Sequence, residues 1–124
     1  MKLFLGIAAI LALLFGAMLL FMPVQFYGPT GMALSPLTAT IAQAHGATLM
    51  GLGIITWLAR EADRRGLIAV LGGSLIVQIL SLGVALRTMT LGAGTKVAPA
   101  VAIHIILGGF FAWFLVRVAA KPQQ

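Results

Sequence analysis

A chain of 124 residues in which 61% are hydrophobic and only 8% charged cannot be a water-soluble globule, because such domains carry about a quarter of their residues as charges. The same hydrophobicity excludes intrinsic disorder. The formal charge of +6 comes from eight Lys and Arg against two acidic residues. These cations stand at the ends of apolar runs and form no basic face, so no nucleic acid partner is expected.

Residues 3–59 contain no Asp, Glu, Lys or Arg. As one helix they would extend roughly 85 Å at ~1.5 Å per residue, against a bilayer core of about 30 Å, so the run must fold back. Turn chemistry gathers at Pro23, Gly28, Pro29, Gly31 and Pro36. This places a first span at residues 3–22 and a second at 36–58, the latter opened by Ser35 as N-cap with Pro36 at the first helical position. The first run is read as a span and not a signal peptide: its apolar stretch exceeds the usual ~7–15 residues, and no A-x-A-like cleavage site precedes the loop. A charged turn at residues 60–65 leads to a third span at 66–86. A Gly- and Thr-rich link at 87–96 leads to a fourth at 97–116. None of the runs alternates apolar and polar residues as barrel strands do, so helices are the expected way across.

The expected fold is therefore all-α, a polytopic membrane protein whose four transmembrane helices form an up-and-down bundle in a single domain. With the N-terminus cytoplasmic, six basic residues (Lys2, Arg60, Arg64, Arg65, Arg117, Lys121) lie inside and two (Arg87, Lys96) outside. The positive-inside rule then puts both termini in the cytoplasm. Trp57 and Trp113 fall near the inner ends of their spans and Tyr27 near the outer interface, as an aromatic belt requires. The uncharged outer loop carries Phe26, Tyr27 and Met32, and is expected either in the headgroup layer or against an external partner.

Apolar lipid removes the hydrophobic drive between helices, so small residues at spacings of four must permit close backbone approach. The first span offers Ala8, Ala12 and Gly16. The second offers Ala42 and Gly46, then Ala47 and Gly51, and the fourth Ala100, Gly108 and Ala112 with His104 in the same row.

Polar side chains at membrane depth cost free energy unless they find partners. Those that stand out are Gln43, His45, Thr48, Ser74, Gln78, Ser81 and His104. Counting inward at ~1.5 Å per residue, His45 lies about 13 Å into the second span, His104 about 10 Å into the fourth and Gln78 about 12 Å from the outer end of the third, so all three share one level. Thr38, His45 and Thr56 share a helix face with Thr48 adjacent and Gln43 pointing away, while Ser74, Gln78 and Ser81 form a stripe at i, i+4, i+7. Two readings stay open for the histidines. In one, His45 and His104 jointly hold a b-type haem or contact a quinone, with Gly46 and Gly108 making room. In the other, each imidazole hydrogen-bonds a neighbouring helix, for instance through Gln78 or Ser81, as polar glue, and no cofactor is expected.

No ionisable carboxylate or amine lies within a span, which counts against an ion-coupled transporter. Glu61 and Asp63 are the only acids, both in the charged turn, so hydrolytic triads and paired-carboxylate chemistry lack their parts and no enzyme is expected. The stretch AQAHGATLMGLGIITWLAR at residues 42–60, with the four-run layout, resembles small four-helix inner-membrane proteins of bacteria of the DoxX-like kind. That resemblance implies a four-helix bundle and assigns no functional residue. The leading expectation is a non-catalytic accessory or assembly subunit of a larger complex in the bacterial inner membrane, partnered by lipid and by other subunits or further copies of itself. A redox protein built on the two histidines is the alternative. A small carrier or channel for a neutral or apolar solute, lined by Thr48, Gln78 and Ser81, is a third reading.

Overall fold

The computed structural model describes residues 1–120. Lys121, counted above with the inner basic residues, lies outside them. Among the described residues all regular structure is helical. Helix α1 covers Lys2–Phe21 and is followed by the short helix α2, Pro23–Tyr27, and a 3₁₀ turn at Gly28–Thr30. Helix α3 covers Pro36–Leu58, and a 3₁₀ turn at Ala59–Glu61 leads to α4 at Arg64–Thr88. A π turn at Met89–Ala93 and a 3₁₀ turn at Gly94–Val97 then lead into α5 at Ala98–Ala119.

The helix limits follow from local chemistry. The Ser35 hydroxyl accepts from the Thr38 amide at 3.2 Å, and Pro36 occupies the first turn where its missing N–H is harmless. Asp63 does the same for α4, its Oδ1 accepting from the Gly66 amide at 2.8 Å, so that helix begins two residues before the expected 66. Two expected loops are partly helical. Residues 23–27 form α2, since Pro23 suits a helix start and Phe26 packs its ring edge against Phe15 of α1. Residues 87–96 stay coiled until Gly92 at φ 116° and Gly94 at φ 54°, left-handed conformations that only glycine adopts at little cost.

Three continuous stretches are long and apolar enough to cross a membrane: Lys2–Phe21, Pro36–Glu61 and Arg64–Ala119, of mean hydropathy 2.8, 1.2 and 2.3. The last is 56 residues long and is broken at the two glycines into α4 and α5, of 25 and 22 residues. Each of these alone reaches the ~20 residues a bilayer crossing takes.

The chain divides into two compact units, the first Met1–Arg60 and the second beginning at Glu61. In the first, α1 and α3 form an antiparallel hairpin whose seam is small. Leu5, Ala8, Ala9, Gly16 and Leu19 of α1 are buried, as are Ala42, Gly46, Gly53 and Thr56 of α3, while Ala12 is half-buried. The helices touch backbone to backbone at Gly16 and Gly46. A Cβ on Gly46 would stand 2.6 Å from both the Gly16 carbonyl oxygen and the Leu20 nitrogen, and one on Gly16 would stand 2.8 Å from the Gly46 oxygen. At Gly53 a Cβ would meet Leu13 Cγ at 2.8 Å and the Ala9 oxygen at 3.1 Å.

In the second unit α4 and α5 are antiparallel. Their contact rows repeat every seven residues: Leu71 and Ala85 are buried on α4, and Val97, Phe111 and Val118 lead into and along α5. This is the spacing of left-handed helix pairing. Gly108 and Ala112 are half-buried on the same side of α5. Arg64 closes the open end, its Nε donating to the Val118 carbonyl at 3.2 Å and its Nη2 to the Ala119 carbonyl at 2.9 Å. These are among the last four carbonyls of α5, which have no partner within their own helix.

Candidate functional site

The polar groups of the second hairpin meet in the middle of its seam. Gln78 is seven residues from both Leu71 and Ala85, and His104 is seven from both Val97 and Phe111, so each interrupts a buried apolar row. They face each other: His104 Nδ1 lies 2.7 Å from Gln78 Oε1. An amide oxygen can only accept, so the imidazole donates from Nδ1. Gly108, one turn beyond His104, lets the Gln78 stem lie against α5, where an added Cβ would sit 3.4 Å from Gln78 Cβ. Ser74 and Ser81 flank Gln78 on the same side of α4 and are half-buried.

In the first hairpin Gln43 reaches across the seam. Its Nε2 donates to the Leu20 carbonyl at 3.1 Å, satisfying one of the orphan acceptors at the end of α1. Gln43 thus points away from His45, as its place on the helix requires, and into the seam. The row of Thr38, His45 and Thr56 does not act as one face: Thr56 is buried, whereas Thr38, His45 and Thr48 are exposed. The row runs along the rim of the α1 contact. Thr48 spends its hydroxyl on the Ala44 carbonyl at 3.1 Å.

The haem and quinone readings ask for clearance beside His45 and His104, and the glycines assigned to provide it are occupied. The open side of Gly46 is filled by the Gly16 and Leu20 backbone, and that of Gly108 by Gln78. Both glycines are taken up by helix approach. His45 belongs to the first compact unit and His104 to the second.

Two features lie outside the expected set. Arg60 stacks on Trp57 with its Cζ 4.1 Å from the ring centroid, and Arg117 stacks on Trp113 at 4.2 Å. The sequence signal is a Trp three or four residues before an Arg at a helix end, the spacing at which helical neighbours touch. The outer segment is tied down by aromatic edges, with Phe26 of α2 against Phe15 of α1 at 6.0 Å and Tyr27 against Phe26 at 5.2 Å. Burial of the Tyr27 phenol pushes its pKa up from the usual 10.0. Because the folded state holds this proton more tightly than the unfolded chain, the packing of Tyr27 contributes fully below the unfolded value and is lost as the pH rises through the folded one. Tyr27 is the only tyrosine, so phenolate absorbance reads it alone. The expected midpoint in detergent lies above that of the SDS-unfolded chain, and coincident midpoints would show the ring to be free in solvent.

Comparison with family models, with curated proteins and with solved structures finds no match to this chain. Its chemistry must be read from its own residues.

Proposed function

We propose that the protein crosses the cytoplasmic membrane of a bacterium four times, with both termini on the cytoplasmic side, and serves as a non-catalytic accessory or assembly subunit of a larger membrane complex. The long apolar helices and the distribution of basic residues support the threading. The observation that carries the subunit reading is the use made of glycine. Gly16, Gly46 and Gly53 are filled by a neighbouring helix, whereas a Cβ added to Gly51, Gly73, Gly83 or Gly109 would meet nothing within 4 Å. Interior glycine costs a helix about 1 kcal/mol relative to alanine, a cost that close helix approach offsets. At these four positions the helix of the same hairpin does not make that approach, and we assign them to a partner polypeptide or another copy.

Extraction from native membranes in mild detergent is expected to bring down a stoichiometric membrane partner. Gly73→Leu is expected to release that partner while the chain keeps its helicity. A lone monomer, or a partner indifferent to Gly73→Leu, would refute the subunit reading. Labelling of the two termini from opposite sides of the membrane would refute the threading.

A further inference from the structure

The cytoplasmic end of the first hairpin holds a cation, Arg60, with no ion pair to a carboxylate among the described residues. Arg60 follows a stretch of 57 residues with no ionisable group other than histidine and tyrosine, residues 3–59. Its guanidinium is held on two sides. The Trp57 ring lies 4.1 Å from Cζ, and Gly6 of α1 lets the group lie across that helix, where a Cβ would stand 3.8 Å from Arg60 Nε. The Nε is buried and has no hydrogen-bond partner. The contrast with Arg64 is direct, since that side chain spends the same donor fork on the Val118 and Ala119 carbonyls. The half-buried guanidinium is fixed in place with one donor enclosed and unpaired, a charge that an anionic oxygen at its Nη groups would offset, and its planar shape matches a phosphate.

We propose that Arg60, held between Gly6 and Trp57, binds the phosphate of an anionic phospholipid headgroup. The lipid is favoured over a soluble anion by what surrounds the guanidinium. The Trp57 ring beneath it is itself exposed, an apolar surface open beside the charge. A ligand that joins a phosphate to acyl chains matches both the charge and the apolar surface beneath it, at the depth where tryptophan anchors an interface. Arg117 on Trp113 repeats the pairing at the end of α5, at 4.2 Å. The inference rests on the membrane threading proposed above.

The test uses the full chain carrying Trp113→Phe, so that emission reports Trp57 alone. The protein is reconstituted in vesicles of equal parts phosphatidylcholine and phosphatidylglycerol, with one lipid or the other brominated on its acyl chains. Brominated phosphatidylglycerol is expected to be enriched about fivefold over phosphatidylcholine around Trp57. Arg60→Gln removes the preference and Arg60→Lys reduces it to about twofold, since a point charge keeps the attraction and loses the fork and the stack. Arg65→Gln, in the same turn and exposed, leaves it in place, and helicity checks that each variant folds. Equal quenching by the two lipids overturns the site, and so does a preference that Arg65→Gln removes as fully as Arg60→Gln. Loss of the preference on adding excess inorganic phosphate would assign the site to a free anion and overturn the lipid. Quenching by neither lipid would overturn the threading itself and the headgroup site with it.

Discussion

Gly46→Leu is expected to open the α1–α3 hairpin. The Cβ alone would lie 2.6 Å from two backbone atoms of α1, the Gly16 oxygen and the Leu20 nitrogen, and neither can move without moving the helix. Overfilling a packed site costs about 1–3 kcal/mol when side chains can yield, and here the yielding atoms belong to the main chain, so the loss stands at or above about 3 kcal/mol. Separation of the helices would also strip the Gln43 amide from the Leu20 carbonyl, because that bond spans the same crossing one turn away. Gly46→Ala is expected to show the same sign at a smaller size, offset in part by the higher helix propensity of alanine. Gly73→Ala is the matched comparison: nothing lies within 4 Å of its added Cβ, and it is expected to be neutral or to stabilise by up to about 1 kcal/mol. Midpoints of unfolding in SDS titrations would report all three, and equal midpoints for Gly46→Ala and Gly73→Ala would refute the crossing.

Much of this arrangement was legible in the residues. Composition required long apolar helices, and Ser35 followed by Pro36 marked the start of α3 to the residue. The small-residue spacing singled out Gly16 and Gly46, although nothing in it said that the two would face each other, since four-residue spacings recur on all four long helices. Gly53, equally close-packed, was absent from that set because the buried row on α3 steps by seven from Gly46. The turns were harder. Residues 23–27 and 87–93 carry proline, glycine and threonine that suit loops, yet both stay coiled until a glycine at positive φ, Gly31 or Gly92, breaks the turn. The prominence given to His45 and His104 came from residue type and depth alone. Type says that a polar group needs a partner, and only the heptad rows, Leu71, Gln78, Ala85 against Val97, His104, Phe111, say which one it finds. Read together, those rows would have paired Gln78 with His104 before His45 with either.

The Gln78–His104 pair carries the second large effect, and it separates a structural contact from a binding site. Gln78→Leu and His104→Leu are each expected to destabilise the α4–α5 hairpin by about 1–2 kcal/mol, since each removes the bond and leaves a polar group in an apolar row. The double variant completes both rows with leucine between residues already buried, so its loss is expected to be smaller than the sum of the single losses by about 1 kcal/mol. Additive losses in SDS titrations would show that the 2.7 Å contact does not form in the membrane-embedded protein. Recovery in the double variant has a functional meaning as well. A half-buried hydrogen-bonded pair whose stability is restored by two hydrocarbons fixes how the helices meet, and a variant that also keeps its membrane partner would confine the pair to that task. A folded double variant that no longer holds the partner would instead place Gln78 and His104 in the contact with it, because packing of the hairpin would by then have been accounted for.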